Sequence, residues 1–438
     1  MRTLFVALAL LPAAQQAPPA SAPPAVERFT LDNGLRVVLR PVEGAALASV
    51  TVLFDFGENA DPEGRSGLAH LSEHLYCTSP AGKEKATPIE AIVKSHPGGW
   101  NAQTGWDYTV FSFVVTPDAL AAELEDAARR MGSLAPTEED LARERPRLFL
   151  ELENMYGRST SLASWNHARA ALSPTRAGRV GGLPEDLVDL RIDEAEAFLR
   201  GKYRPAAARL VVAGAVDAAV WAPKIREMFG AIPARAEAGP PPAKPRVPAT
   251  APASAVRVVP TGEDGFRQGK QACVGWRAPR PGDPDYAPFL VLAVRLWTRQ
   301  ARTEKDPRER PMVVFAPLDD PDHVFARAGA GKEETPGAAA ARVEAFVRSC
   351  IDPPLRAGEE KAAKVHLSNY LGTLRAADAM LAANPYLVGY ALGRRDQLGV
   401  DGPALAKALD AVTDETLAAA RKRWFGEPVR VVAIPDEK

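Results

Sequence analysis

The sequence predicts two homologous α+β domains, each a mainly antiparallel sheet covered by helices. A chain of 438 residues is too long for one ordinary core, so two or three domains are expected. Residues 233–255 are too rich in proline for a helix or a central strand and form a natural linker. They separate residues 26–232 from residues 256–438, and each half has the size of a domain. Strand-like and helix-like segments occur in blocks without strict alternation, which favours the α+β class.

Each half opens with extended segments rich in apolar residues. In the first half these segments are Arg28–Leu31, Leu35–Arg40 and Ser49–Phe56. The turn residues Asp32, Asn33 and Gly34 predict that the first two segments form a hairpin. In the second half the segments are Val256–Val259 and Gln271–Trp276, followed by a helix-like apolar run over Tyr286–Trp297.

The two halves also close alike. A helix-like stretch over Ala218–Met228 leads to Phe229 and Gly230, and a second stretch over Ala418–Trp424 leads to Phe425 and Gly426. The second half then ends in a predicted strand, Val429–Ile434. These parallels indicate divergent copies of one plan.

Residues 1–25 have the pattern of an export signal followed by an Ala/Pro-rich segment. Arg2 supplies a positive charge, Leu4–Leu11 supply a short apolar run, and Ala13–Ala22 offer small residues for cleavage. We therefore predict an exported protein, periplasmic or secreted, without a membrane span. The alternative is a disordered Ala/Pro tail on a cytoplasmic protein.

Charge and cysteine content exclude several classes. Lys and Arg number 54 and Asp and Glu 55, so the chain lacks the basic excess that nucleic-acid binding requires. Cys77, Cys273 and Cys350 form no CxxC pair, which argues against a cysteine zinc site. Whether Cys273 and Cys350 form a disulfide stays open.

The segment Gly67–Leu75 carries the chemistry. His70, Glu73 and His74 fall on one face of a predicted helix, because residues three and four apart are neighbours there. Two neutral imidazoles are standard zinc donors, and a carboxylate beside a metal-bound water can accept its proton. Two of the chain's six histidines lie in this single turn. The pattern is HxxEH, the inverse of HExxH.

This segment resembles the M16 metallopeptidases, the group of pitrilysin, insulin-degrading enzyme and mitochondrial processing peptidase. In that family 69 residues lead from HxxEH to a Glu and six more to a second Glu, and here these spacings reach Glu144 and Glu151. Further matches in family order are the opening hairpin, an NAxT segment and a strand that closes the first domain: Phe29–Leu39, Asn101–Thr104 and Leu210–Asp217.

The resemblance implies a zinc-dependent endopeptidase that binds one Zn²⁺ per chain and hydrolyses peptides or unfolded segments in an enclosed cavity. His70, His74 and Glu151 would be the ligands, and Glu73 the general base for water at the open zinc position. Glu144 would orient a ligand histidine, and Asn101 would lie beside the site and hold substrate or a ligand. Asn101 is also explained as a turn residue after two glycines.

Two features complicate the segment that carries Glu144 and Glu151. Pro146 should kink or restart a helix there, and a helix that begins near Pro146 would leave Glu144 in the preceding turn. Glu153 is a competing third ligand, but its helical face is rotated away from that of Glu151.

The second half departs from the family pattern. It has no HxxEH, as expected of a catalytically silent copy, and the arginine and tyrosine that bind substrate in active members are not matched in full. Arg308 or Arg310 is a candidate for the arginine, although solvated loop charges are an equal explanation. We therefore expect a homodimer, or a heterodimer whose second M16-like chain supplies the missing element. The alternative function is a non-catalytic or partner-dependent subunit acting in binding or assembly.

Overall fold

The structure is a computed structural model that describes residues 26–172, 180–235, 255–262, 269–299, 311–354, 356–359, 361–363, 365 and 385–436. In this part of the chain the strands are β1 (Glu27–Thr30), β2 (Arg36–Pro41), β3 (Ala48–Phe54), β4 (Trp100–Thr104), β5 (Thr109–Val115), β6 (Ala208–Gly214), β7 (Val256–Thr261), β8 (Gln271–Arg277), β9 (Met312–Val314), β10 (His323–Gly329) and β11 (Val429–Pro435).

The α-helices of the described residues are α1 (Leu68–Thr78), α2 (Ile89–Ser95), α3 (Leu120–Ser133), α4 (Glu138–Leu152), α5 (Thr160–Leu172), α6 (Pro184–Val188), α7 (Ile192–Lys202), α8 (Ala218–Gly230), α9 (Tyr286–Arg299), α10 (Pro336–Ile351), α11 (Pro385–Gln397), α12 (Gly402–Asp410) and α13 (Asp414–Trp424). The signal-like residues 1–25 and most of the predicted linker lie outside the described residues.

Two sheets of the same design confirm the predicted α+β class and its internal duplication. The first has the order β1-β2-β6-β3-β5-β4 and the second the order β7-β11-β8-β10-β9. In each sheet one parallel pair, β2 with β6 and β7 with β11, is followed by antiparallel neighbours. The first sheet differs by the additional strand β1, which forms the predicted hairpin with β2. Each sheet lies wholly on one side of the predicted linker.

The halves exchange one helix each. Helix α5 belongs to the first half but packs on β8 and β11 of the second sheet, while α11 of the second half packs on β3 and β6 of the first. The approach of α11 is close, because a Cβ built on Gly389 would lie 2.2 Å from Oγ1 of Thr51. On the other side, Arg169 of α5 lies 2.8 Å from the carboxylate of Asp320. One cluster of buried apolar residues belongs to the first half alone, whereas two further clusters in the described residues combine side chains of both halves.

The three cysteines are free and buried, so Cys273 and Cys350 form no disulfide. Cys77 lies in the core of the first half, as expected for a small buried thiol. Among the described residues, no helix is both long and apolar enough to cross a bilayer.

Candidate metal centre

Helix α1 presents three polar side chains of the HxxEH motif to the protein interior. Gly67 precedes the helix with φ of 95°, and Asp61 accepts hydrogen bonds of 2.7 Å from the backbone N–H groups of Gly67 and Ala69. These contacts satisfy two donors that the start of a helix leaves unpaired. All the other residues of α1 are buried, so the side chains of the motif lie between α1 and the elements packed against it.

Helix α4 carries both glutamates at the family spacing. A capping box between Thr137 and Asp140 begins the helix, which then continues through Pro146 to Leu152. The alternative that the helix begins near Pro146 is wrong, because the capping box starts it at Glu138 and Glu144 lies within it. Glu144 and Glu151, seven residues apart, both point toward α1.

Three of the predicted ligands converge. Nε2 of His70 and Nε2 of His74 lie 3.4 Å and 3.8 Å from Oε2 of Glu151. One donor atom from each of the three residues lies within 4.8 Å of the other two. Two donors at about 2.0 Å from a tetrahedral zinc ion are separated by roughly 3.3 Å, so small side-chain movements bring all three into range. Glu153, the competing ligand, is instead exposed and pairs with Arg158.

The other nitrogen of each imidazole already has a partner. Nδ1 of His70 donates to the carbonyl oxygen of Gly181 at 3.0 Å, and Nδ1 of His74 lies 3.3 Å from Oε2 of Glu144. Because a carbonyl and a carboxylate only accept, both Nδ1 atoms carry the proton, and both Nε2 atoms keep a lone pair in the neutral ring. This arrangement orients ligand histidines in known metal sites.

Two arginines beside Glu144 favour the ionised carboxylate that orients His74. Its side chain is 1% exposed, and it accepts hydrogen bonds from Arg143 at 3.0 Å and from Arg147 at 3.3 Å. Burial raises the pKa of Glu144, but the hydrogen bonds from His74 and Arg143 outweigh it and leave the pKa below its ordinary value. Glu144 therefore stays ionised and holds the proton of His74 on Nδ1.

The carboxylates of the cluster favour the protonated form of both histidines. Burial alone would lower the pKa of His74, but the carboxylates of Glu144 and Glu151 raise it to about 10. The pKa of His70 is raised in the same way, and that of Glu151 is lowered by its two histidine partners despite its burial. A metal ion bound here would displace protons from the histidines, as at other sites with such ligands.

Glu73 lies beside the cluster without belonging to it. It is 5% exposed, and the hydroxyl of Thr104 on β4 donates to its Oε2 at 2.6 Å. Burial raises the pKa of Glu73, while the neighbouring histidines and Thr104 counteract part of that rise. A buried carboxylate beside a metal site, with one oxygen held by a hydroxyl, is suited to accept and return a proton.

Several residues that build the site have no motif in the sequence. Gly181 and Gly182, with φ of 89° and 120°, pass so close to α1 that a Cβ on Gly182 would lie 2.8 Å from Cα of Gly67. Glu58 accepts from the N–H of Gly181 at 2.7 Å and so fixes the carbonyl that holds His70. The glycine pair alone signals a turn, and only the fold brings it to the histidine.

Of the remaining predicted site residues, the structure describes Asn101 but not the two second-half arginines. Asn101 lies on β4 in register with Ser112, on the strand face opposite to Thr104 because strand side chains alternate. Its contact with a substrate or a ligand stays a prediction. Arg308 and Arg310 lie outside the described residues.

The fold and the donor set together define a class. Two imidazoles oriented through Nδ1, one carboxylate and an adjacent buried glutamate match the donor set of catalytic zinc sites, which leave one position open. The residues present thus fit a zinc ion. The HxxEH motif on one helix and the third donor on a second helix place the chain among the inverted zinc-motif proteins.

Comparisons with known proteins identify the family within this class. The family described as "Insulinase (Peptidase family M16)" matches residues 36–159, and the family described as "Peptidase M16 inactive domain" matches residues 189–297. Together the two matches cover more than half of the chain. The protein belongs to the M16 peptidase family, which confirms the resemblance of its motifs.

Curated relatives align over parts of the chain. Zinc protease PqqE of Helicobacter pylori is 37% identical over 123 residues, 28% of this chain and 28% of that protein. Human mitochondrial-processing peptidase subunit alpha is 28% identical over 191 residues, 42% of this chain and 35% of that protein. The alignments thus span about a third or less of these relatives' lengths.

Solved structures match the fold over nearly the whole chain. A protease from Helicobacter pylori has a TM-score of 0.74 at 20% identity, and the match covers 94% of this chain and 100% of that one. The periplasmic protease PqqL from Escherichia coli has a TM-score of 0.67 at 15% identity, covering 94% of this chain and 48% of that one. These likenesses confirm two M16-type domains.

Proposed function

We propose that the protein is a zinc-dependent endopeptidase. The observation that carries the proposal is the convergence of His70, His74 and Glu151 beside the buried carboxylate of Glu73. A purely structural metal site has no need of a base next to its ligands. Membership of a peptidase family and the partial likeness to a zinc protease support the same conclusion.

The chain's own residues would act in defined roles. When bound, zinc would act as a Lewis acid that polarises a peptide carbonyl and lowers the pKa of a bound water. His70 and His74 offer Nε2 because Gly181 and Glu144 occupy their Nδ1 atoms. Glu73, held at Oε2 by a hydroxyl, would take the proton of the attacking water on Oε1 and return it to the departing amine.

The substrate class and setting are further parts of the proposal. Peptides or unfolded segments, enclosed between M16-type domains of this chain and a second copy or partner, would be selected by length more than by side chain. Export to the periplasm or beyond the cell is supported by the pattern of residues 1–25 and by the name of the periplasmic protease that shares the fold.

A partner-dependent or non-catalytic subunit is the second candidate. It is favoured by the sequence of the second half, in which Arg308-Glu-Arg310 is followed by Pro-Met-Val-Val-Phe315 without a tyrosine. The match of residues 189–297 to an inactive domain runs from the end of the first half into the second, and none of the three clustered residues His70, His74 and Glu151 lies within it. The two candidates differ in whether the chain alone hydrolyses peptides.

The test is hydrolysis of a quenched-fluorescent peptide mixture by the purified chain, with and without a zinc chelator. Glu73→Gln removes the base, while Glu125→Gln alters an exposed glutamate on α3 and serves as the matched control. Chelator-sensitive cleavage that is lost in Glu73→Gln and kept in Glu125→Gln supports the proposal. No cleavage by the folded, zinc-loaded chain rejects self-sufficient activity. Cleavage that appears on addition of a second M16-type chain then selects the partner-dependent form.

A further inference from the structure

The turn that joins β4 to β5, residues 105–108, is bound by side chains from the second half of the chain. Nη2 of Arg394 on α11 donates to Oδ1 of Asp107 at 3.1 Å, and Nε2 of Gln397 donates to the carbonyl oxygen of Asp107 at 2.6 Å. The guanidinium of Arg394 also lies 3.9 Å from the ring centroid of Tyr108. Asp107 and Tyr108 are therefore held by charge, hydrogen bonds and a cation–π contact.

Arg394 is itself firmly placed. Its side chain is fully buried, and Nε donates to the carbonyl oxygen of Leu318 in the second half at 2.7 Å. A buried guanidinium is costly unless its donors are paired, so its geometry is set by these acceptors. Tyr390, one turn earlier on α11, donates to Asp319 and lies 3.2 Å from the hydroxyl of Tyr108. The turn thus rests on a rigid surface of the second half.

One route leads from this turn to the general base. Thr104 is the last residue of β4 and immediately precedes the turn. Its hydroxyl makes the 2.6 Å hydrogen bond to Glu73. The position of that hydroxyl depends on where strand β4 ends, and the turn determines this.

A second route leads from the turn to a histidine of the cluster. The carbonyl oxygen of Gly105 accepts from the N–H of Glu58 at 3.0 Å. The carboxylate of Glu58 accepts from Gly181 at 2.7 Å, and the carbonyl of Gly181 accepts from His70 at 3.0 Å. The approach of this segment to the turn is tight, because a Cβ on Gly57 would lie 2.1 Å from the oxygen of Gly105.

We propose that Arg394 is a positioning residue for the metal centre. It lies in the half that carries no HxxEH motif, and it acts by fixing the turn 105–108, from which Thr104 reaches Glu73 and Glu58 reaches His70 through Gly181. The effect on catalysis rests on the proposed peptidase function, whereas the effect on the metal geometry does not. The second half of the chain then positions the metal centre through α11, in addition to any contact it makes with substrate.

The test compares three variants that all lie on α11. Arg394→Met removes the donors to Asp107, and Gln397→Met removes the second contact with the same residue at a less buried position. Asp396→Asn is the matched control, because Asp396 accepts from Arg209 across the two halves at 2.8 Å without touching the turn. Each variant is compared with the wild-type chain for kcat, KM and thermal stability.

A second readout does not depend on activity. Co²⁺ replaces zinc in the metal-depleted protein, and its visible absorption spectrum reports the geometry of the ligands. We expect Arg394→Met and Gln397→Met to change this spectrum and to lower kcat about tenfold with KM within about twofold. Asp396→Asn is expected to keep the wild-type spectrum and kcat, even where it lowers thermal stability.

Two results overturn the proposal. One is an unchanged spectrum and kcat in Arg394→Met, or in Gln397→Met if Arg394→Met does not fold. The other is an equal change in Asp396→Asn, which would show a general loss of packing between the halves. If the wild-type chain cleaves no peptide, the cobalt spectra decide the proposal alone, so its failure is separate from failure of the peptidase function.

Discussion

The hydroxyl of Thr104 donates a 2.6 Å hydrogen bond to Oε2 of Glu73, so an edge strand of the first sheet orients the carboxylate of the zinc motif. The contact joins the two family segments, HxxEH and NAxT, through the last residue of the latter. In the proposed mechanism, Oε2 of Glu73 would serve orientation and Oε1 would be left for proton transfer.

Replacing Thr104 tests that assignment. Thr104→Val keeps the shape of the side chain but removes the donor, so Glu73 loses its orientation and kcat should fall about tenfold. Zinc content should not change, because Thr104 contacts none of the three ligands' donor atoms in the described hydrogen bonds. Thr104→Ser restores the hydroxyl and should recover most of the activity. Equal kcat in the Val and wild-type proteins would contradict the role of the hydrogen bond.

Replacing Glu144 tests how His74 is oriented. Glu144→Gln removes the negative charge that keeps the proton on Nδ1 of His74, and zinc affinity should fall about 10- to 100-fold. Competition with a chromophoric zinc chelator measures the change. Glu153→Gln, at an exposed position just beyond α4, is the control and should bind zinc as the wild type does. Equal zinc affinities of Glu144→Gln and Glu153→Gln would contradict a role of Glu144 in orienting His74.

Replacing Gly181 tests the backbone that holds His70. Gly181→Ala places a Cβ 2.8 Å from Cε of Met155 and 3.6 Å from Nδ1 of His70 at a φ of 89°. The strained backbone and the crowding beside His70 should disturb the hydrogen bond from His70 to the carbonyl oxygen. Gly399→Ala has a similar backbone cost at φ of 66° but meets nothing within 4 Å. Both variants should lose about 1–2 kcal/mol in the free energy of unfolding. Only Gly181→Ala should also weaken zinc binding, and comparable zinc affinities would argue against the carbonyl's role.

His96 supplies a pH-dependent contribution to stability outside the metal centre. Its Nε2 lies 2.9 Å from the carboxylate of Glu123, and Nδ1 lies 2.9 Å from the carbonyl of Ile92. Burial lowers the pKa of His96, but these partners outweigh it and leave the pKa above its ordinary value. The stabilisation is therefore complete below the unfolded-state pKa of about 6.5 and is lost as pH rises through the folded-state pKa.

The measurement is urea unfolding of wild type and His96→Gln between about pH 5.5 and 9. The wild type should be more stable by about 1 kcal/mol at the acidic end, and the difference should shrink as pH rises. A difference that grows with pH would contradict the sign.

Local spacing determined the core of the site. His70, Glu73 and His74 share a helical face because residues three and four apart are neighbours, and Glu144 and Glu151 share one because seven residues make nearly two turns. The β1–β2 hairpin followed from its turn residues in the same way. The sequence left open whether a helix runs through Pro146, because local propensity opposes it. The capping box and the packing of α4 on α1 decide for the continuous helix.

By itself, therefore, the sequence determined the fold class, the duplicated plan and the candidate ligands with their neighbouring glutamate, since these depend on short-range periodicity and on the spacing of a family motif. Only the tertiary structure decided that Gly181 holds His70, that Thr104 holds Glu73, and that α5 and α11 cross between the halves. Those contacts join residues from 31 to more than 100 positions apart. Their choice depends on how whole sheets and helices pack, and no local pattern encodes it.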